Sequence, residues 1–575
     1  MGKTLKGIGA SDGIALAKAL ILTEEKLNIT NQKTTDTTAE IKKYHEAVEK
    51  TVSDIKKLIT TSEKKFGPEK AAIFEAHQEI ATDPEIKNDV EKLINDDKKT
   101  ATMAVNEVMQ KYFEIFKNMD DDYFKERASD VEDVKTRMLK HLLGIKIVDL
   151  STIDEEVIIV ADDLTPSQTA QLDKKYIKGF ATNIGGRTSH AAIMARSLEI
   201  PAVLGLKTIT TMAKNGEMIG LNGQSGEVMV DLSADDIKAF KQAEINFADE
   251  QEKLKTYINK ESVTLDNHKV LVEANIGKPK DCVNANKYGA EGIGLFRSEF
   301  LYMENDHFPT EEEQFKAYKE AVEAMKPHMV VIRTLDIGGD KKLSYFTFPT
   351  EMNPFLGYRA IRFCLDNPEI FKTQLRALLR ASAFGKLGIM FPMIATIDEF
   401  KQAKQMVEEC KKELKTKSIA FDEDIQVGMM VEIPAAAINA ENFAKYADFF
   451  SIGTNDLIQY SMAADRMNQQ VSYLYQPTNP SILNLINMTI QGGHKYNRWV
   501  GMCGEMAGDK TAIPLLLGMG LDAFSMSAPS IPKARMVIDN LKYSDAKVLA
   551  TEALKQETSQ QVQQLVNEFL NKNNL

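Results

Sequence analysis

Val427-Gly428-Met429-Met430-Val431-Glu432-Ile433-Pro434 is an apolar run of strand length that ends abruptly on an acid. It is one of eight such runs, which start near Val270, Gly292, Val330, Gly388, Val427, Phe449, Val500 and Ala523 with helical stretches between them. Eight strands alternating with helices predict a (β/α)8 TIM-type barrel, and a span of about 310 residues lies within the range for that fold. The strand ends carry a further signal. Phe296-Arg297-Ser298-Glu299, Ile332-Arg333-Thr334-Leu335-Asp336, Gly453-Thr454-Asn455-Asp456 and Met502-Cys503-Gly504-Glu505 also close runs with polar or charged groups. Gathered at the C-terminal ends of barrel strands, such groups meet on the face where barrel enzymes keep their chemistry.

Glu432 and Asp456 are hard oxygen donors on adjacent strands. A sparse pair of this kind suits Mg²⁺, which keeps several waters and takes further ligands from a phosphorylated substrate. The alternative is two acids salt-bridged to nearby arginines. Arg297, Arg333 and Arg466 add fixed cations that fork onto phosphate or carboxylate oxygens, and Arg359 in Asn353-Pro354-Phe355-Leu356-Gly357-Tyr358-Arg359 is a candidate fourth. Unpaired cations at one mouth repel, and a small anion such as a phosphorylated carboxylic acid relieves them. Cys503, with Gly501 and Gly504 nearby, reads as an accessible thiol able to protonate a carbon centre; the alternative is a small buried hydrophobe.

In the first half, Gly185-Gly186-Arg187-Thr188-Ser189-His190-Ala191-Ala192-Ile193-Met194-Ala195-Arg196 places a histidine after a Gly-Gly turn, at the head of an apolar helical run. The start of a helix offers unpaired N–H groups to an anion, so the imidazole is a candidate phosphoryl carrier. A solvated histidine at an ordinary turn is the other reading. Around this stretch, residues 5–22 read as β structure, and short strands return at Val157–Val160, Gly179–Ala181, Ala202–Leu204 and Glu227–Val230. Between them, apolar residues recur at helical spacing through Ile41, Val48, Val52, Ile55 and Ile59, then Met103, Val105, Val108 and Phe113. The expected organisation is a discontinuous α/β domain (1–30 and 146–232), a helical insert of paired hairpins (31–145), a charged linker helix (233–260) and the barrel (261–575).

Composition bounds the function. The chain has 575 residues, 43% hydrophobic and 27% charged, and a net charge of −12 from 71 basic against 83 acidic residues. That balance argues against nucleic-acid binding and suits a basic protein partner. No apolar run reaches the roughly 18 residues of a membrane span, and the first residues lack a signal-peptide core. Cys282, Cys364, Cys410 and Cys503 show neither a close pair nor metal-ligand spacing, which fits free thiols in a reducing cytoplasm.

Together these motifs closely resemble the enzyme I family of the bacterial phosphoenolpyruvate:sugar phosphotransferase system. The matching stretches are 185–196, 294–303, 333–341, 428–437, 450–468 and 501–509, and the similarity runs from about Gly7 to beyond Pro532. The resemblance implies that phosphoenolpyruvate and Mg²⁺ bind in the barrel, that the phosphoryl group passes to His190, and that pyruvate leaves. It assigns Glu432 and Asp456 to the metal, Arg297, Arg333, Asn455 and Arg466 to substrate, Cys503 to proton donation, and Thr169 to the resting histidine. It implies a second transfer to a histidine of the small carrier protein HPr, the first step of sugar uptake, with homodimerisation through the barrel. HPr docks on the helical insert in this family, which makes Glu69, His77, Asp83 and Glu85 candidates for that surface.

Two relatives of the barrel are disfavoured by length. Pyruvate phosphate dikinases and phosphoenolpyruvate synthases add a large ATP-binding domain, and the nitrogen-branch paralogue adds a sensory domain. The first 145 residues are too short and too helical for the one, and a first strand by Gly7 leaves no room for the other. A regulator that kept only the fold is expected to have lost His190, a metal ligand or an arginine.

Overall fold

The computed structural model describes residues 2–22, 27, 29–30, 33–66, 68–118, 122–145, 150, 153–169, 171–186, 189–339, 341, 343–466 and 468–575; the side chains of 64–66, 68–72, 122–126, 166, 190, 193, 197 and 469 are not among those described. The chain forms two compact units, Met1–Glu250 and Gln251–Leu575.

The first unit starts with β1 (Lys3–Lys6), β2 (Ile8–Ser11) and β3 (Ile14–Ile21), which pair with strands from much later in the chain. Five helices intervene: α1 (Thr37–Phe66), α2 (Pro68–Thr82), α3 (Pro84–Asn95), α4 (Ala101–Lys117) and α5 (Asp122–Leu143). They pack chiefly as α1 on α2 and α4 on α5, around a core that includes Ile55, Val90, Val105 and Leu139. The chain then runs through β4 (Val157–Ala161), α6 (Pro166–Thr169), β5 (Ile177–Thr182), α7 (His190–Leu198), β6 (Ala202–Leu204), α8 (Ile209–Met212), β7 (Met218–Asn222) and β8 (Glu227–Val230). The eight strands form one sheet in the order β1-β8-β7-β3-β4-β5-β6-β2, so the helices interrupt a single sheet domain. Successive side chains take opposite faces of a strand. Ile159 and Phe180 therefore join the layer of α7, with Ala191, Ala192 and Ala195, whereas Ile158, Val160 and Ala181 join the layer of Ile209.

α9 (Ala234–Lys255) follows, and the division between the units falls inside it. Its first turns are bound to the sheet. The Phe240 ring occupies the space a side chain at Gly220 would need, and Glu244 accepts a hydrogen bond from Leu16 N at 2.9 Å.

The second unit is a closed barrel of eight parallel strands: β9 (Leu271–Ile276), β10 (Ile293–Arg297), β11 (Val330–Arg333), β12 (Leu387–Phe391), β13 (Gln426–Val431), β14 (Phe449–Ile452), β15 (Trp499–Met502) and β16 (Ala523–Met526), with β16 closing on β9. Each begins within a residue of its expected start. Val272, Ala274 and Ile276 face the surrounding helices, while Leu295, Val331, Met390, Met430 and Phe449 fill the inside. At the N-terminal end, the Phe449 and Trp499 rings stack with centroids 4.4 Å apart, and Trp499 Nε1 donates to Gln426 Oε1 at 3.0 Å. The floor is thus apolar and closed, and the opposite end carries the charge. Among the described residues, no helix is long and apolar enough to cross a membrane.

Candidate active site

At the C-terminal mouth of the barrel lies a cavity of about 690 Å³, lined by Arg297, Arg333, Arg359, Asn455, Asp456, Arg466 and Cys503 among others. Residues expected at four different strand ends, together with Arg359 and Arg466, are thereby brought around one cavity. Glu432 is fully buried behind Gly453, where a side chain would press on the carboxylate.

The arginines differ from the expected unpaired set. Arg333 is buried against Glu299, with Nη1 3.1 Å from Asp336 Oδ2. Arg359, also buried, places Nη2 3.0 Å from Asp336 Oδ1 and Nη1 3.1 Å from Tyr460 Oη. Lys341 reaches both acids, at 2.9 Å from Glu299 Oε1 and 2.9 Å from Asp336 Oδ2. The expectation of mutually repelling cations is therefore corrected: buried carboxylates neutralise part of the charge and hold the guanidinium planes in place. Burial opposes the charge on Arg333, but Glu299 and Asp336 outweigh it and push its pKa up. Asp336 is held well below the usual carboxylate range because Lys341, Arg333 and Arg359 outweigh its own burial. Arg297 is exposed at the rim.

Several buried polar atoms here have no hydrogen-bond partner among the described residues: Glu432 Oε2, Asp456 Oδ1, Glu299 Oε2, Arg333 Nε and Arg359 Nε. Such atoms are costly to bury unsatisfied, and their concentration at one site marks a ligand-binding centre. Glu432 Oε1 accepts from Met393 N at 2.6 Å. Burial first, then the charge of Asp456, raises the Glu432 pKa to about 7. Asp456 Oδ1 lies 3.8 Å from Arg359 Nη1, so these two acids do not pair off fully with the arginines. Two hard oxygens that raise each other's energy and lack donors fit a divalent cation. Among the described residues there is no group of three or more His, Cys, Asp or Glu able to hold a metal by themselves, so any such ion depends on substrate and water for its remaining ligands.

Asn455 accepts a hydrogen bond from Tyr475 Oη at 3.1 Å through Oδ1, which turns its amide nitrogen away from the tyrosine. Arg466 lines the cavity, with its backbone N–H bound to Gln459 Oε1 at 3.1 Å. Cys503 corrects a second expectation. It is 4% exposed and packed with Leu295, Met430 and Phe449, and reaches the cavity lining from within that apolar layer, not from an open loop. Burial pushes its thiol to about 11, so it carries its proton at neutral pH.

In the first unit, Ser189 caps α7, its hydroxyl accepting from Ala192 N at 3.3 Å, so His190 occupies the first helical position. Arg187, Thr188 and the His190 side chain lie outside what is described. Thr169 is fully buried at the end of α6, and its hydroxyl donates to Thr165 O at 3.2 Å. Of the carrier-facing candidates, Glu85 is exposed and Asp83 caps α3 through Glu85 N at 2.8 Å and Ile86 N at 3.0 Å. The Glu69 side chain lies outside the described residues. His77 is corrected: it is 1% exposed, with Nε2 3.2 Å from Asp130 Oδ1 and Nδ1 3.8 Å from Asp133 Oδ2, and offers nothing to a partner's surface.

Glu299, Asp336, Lys341 and Tyr460 were not among the expected site residues. The first two were visible as acids closing strand runs, and Lys341 as the cation after the Gly338-Gly339 turn; Tyr460, inside a helix, had no such signal.

Residues 250–543 match the PEP-binding domain of PEP-utilising enzymes, residues 6–127 their N-terminal domain and residues 153–226 their mobile domain. A phosphoenolpyruvate-protein phosphotransferase of Mycoplasma capricolum is 62% identical over 99% of this chain and 100% of its own length. One of Staphylococcus carnosus is 53% identical over 99% of both chains. An NMR solution structure of Enzyme I is 44% identical across 42% of this chain and 99% of its own, with a TM-score of 0.39. With matches across its whole length, a charged barrel mouth and a histidine heading a capped helix, the chain belongs to the phosphoenolpyruvate-protein phosphotransferase family of PEP-utilising enzymes.

Proposed function

We propose that the chain carries a phosphoryl group from phosphoenolpyruvate to His190 and then to a histidine of HPr, as enzyme I of a cytoplasmic sugar phosphotransferase system. The observation that carries this reading is the barrel mouth, where oriented guanidinium groups and buried oxygens without a donor among the described residues gather at one cavity.

Arg297, Arg333 and Arg466 bind and orient the phosphate and carboxylate, with Arg333 fixed by Glu299 and Asp336 and Arg359 backing the wall from Asp336. Glu432 and Asp456 hold Mg²⁺, and Asn455 presents its amide to the substrate. When bound, the ion neutralises charge on the phosphoryl oxygens. The neutral imidazole of His190 attacks phosphorus as the bond from phosphorus to the enol oxygen breaks. The enolate then takes the Cys503 proton at its methylene carbon, and pyruvate leaves with a thiolate behind. A thiol still protonated at neutral pH suits that step. His190 and the cavity belong to different compact units, so transfer requires the first unit to bring His190 to the barrel and later to the carrier. Homodimerisation through the barrel and docking of HPr on the helices near Asp83 and Glu85 complete the reading.

The test is discharge. Enzyme labelled from phosphoenolpyruvate with Mg²⁺ is expected to pass its label to added HPr and to recover full labelling capacity. Label that stays on the enzyme in the presence of HPr overturns the assignment of the acceptor.

A further inference from the structure

We propose that Asn275 is a positioning residue for Cys503, holding the thiol over the carbon it protonates; this rests on the proton-donor reading of Cys503 above. The argument starts from a gap in the barrel ladder. β15 pairs with β16 only as far as Met502↔Phe524, so Cys503, one residue on, has no ladder partner on that side. On the other side its N–H is bound to Ile452 O at 3.1 Å. Its carbonyl is satisfied from two strands away: Asn275 on β9 reaches past β16 and donates Nδ2 to Cys503 O at 2.9 Å.

The orientation of that amide is itself fixed. Ser525, 2% exposed on β16, donates its hydroxyl to Asn275 Oδ1 at 2.7 Å. The turned-over amide would set Oδ1 against the carbonyls of Cys503 and Ser525 and its NH₂ against a hydroxyl that already needs an acceptor. Gly294 leaves the room for this arrangement, since a side chain there would stand 2.6 Å from Ser525 Oγ. Asn275 also lines the substrate cavity. The Cys503 peptide is thus gripped at both ends, by Ile452 and by Asn275, and the direction of its Cα–Cβ bond follows. Loss of the second grip lets the thiol swing, and a displacement of about 1 Å at a reacting group can cost up to about 100-fold in rate.

The reverse reaction isolates this step. The group that protonates the enolate also withdraws a proton from pyruvate, so the full-length enzyme with pyruvate and Mg²⁺ in D₂O exchanges the methyl protons, a reaction followed by proton NMR. Asn275→Ala is expected to slow exchange and kcat about tenfold or more with KM for phosphoenolpyruvate little changed, and Ser525→Ala to lie between it and wild type. Combined with Cys503→Ser, Asn275→Ala should add no further loss, a coupling that a merely structural role would not produce. Asn275→Asp, of the same shape but without the donor, covers the case in which the alanine variant fails to fold, and is expected to show the same loss. Exchange at the wild-type rate in folded Asn275 variants, or losses that multiply with that of Cys503→Ser, overturns the inference. Wild-type exchange in Cys503→Ser alone instead overturns the proton-donor reading on which it rests.

Discussion

Met393 donates its backbone N–H to Glu432 Oε1 at 2.6 Å, and does so from a left-handed conformation, φ 55°, that a methionine seldom adopts. Ala360, next to Arg359, is strained in the same way at φ 53°. Such conformations cost on the order of 1–3 kcal/mol each and survive where the surrounding structure enforces them. Here the Met393 conformation fixes one oxygen of Glu432, while the other has no donor among the described residues and is left for whatever cation the site accepts.

Glu432→Gln keeps an oxygen for Met393 and removes the charge. The half-saturating Mg²⁺ concentration for phosphorylation by phosphoenolpyruvate is expected to rise by about tenfold or more, since charge-assisted contacts contribute roughly 1.5–3 kcal/mol. An unchanged metal titration would make Glu432 a structural acid only.

The arginines separate by their surroundings. Arg333→Ala strands Glu299 and Asp336 in a buried site and should lower stability by roughly 3–5 kcal/mol as well as abolishing turnover. Arg297→Ala, at the exposed rim, should leave the melting temperature within a degree or two of wild type while raising KM for phosphoenolpyruvate about tenfold or more. Equal melting temperatures for the two variants would contradict the charge network described.

Glu273 sits inside the barrel, 4% exposed, and burial lifts its carboxyl from 4.5 to about 8. Below pH 4.5 both folded and unfolded chains hold the proton, so the group costs nothing. Between 4.5 and about 8 only the folded chain keeps it, and stability falls as pH rises. Glu273→Gln removes this dependence, so its advantage in stability should widen from pH 5 to pH 8 and then level off, reaching at most about 5 kcal/mol. A constant difference across that range would show that Glu273 does not titrate as described.

His77→Ala leaves Asp130 and Asp133 facing each other in a buried pocket. It should lower the melting temperature yet leave KM for HPr unaltered below the transition. Glu85→Lys should do the reverse. A large KM change in a well-folded His77→Ala would return that histidine to the docking surface.

The barrel was legible because its strands are apolar runs closed by charges, as at Val431-Glu432 and Met502-Cys503, a pattern independent of long-range detail. The partners of those charges were not. Which acid meets Arg333 depends on how the ends of β10 and β11 face each other: Glu299 is 34 residues from Arg333, and Asp336, though close to Arg333 in sequence, also holds the remote Arg359. Cys503 looked accessible between glycines, yet those glycines serve close packing: a side chain at Gly504 would overlap Thr454. His77 lay on a helix whose inward face only the packing of α5 decides. β7 went unseen because Gly220 and Asn222 dilute its apolar character; the glycine is there to admit Phe240.

The most direct measurement is to incubate the enzyme with phosphoenolpyruvate labelled in its phosphoryl group, with Mg²⁺ and without ATP, and to map labelled peptides under alkaline conditions. The account predicts acid-labile label on the peptide carrying His190 and none in His190→Ala. Label that requires ATP, or that persists in His190→Ala, would contradict it.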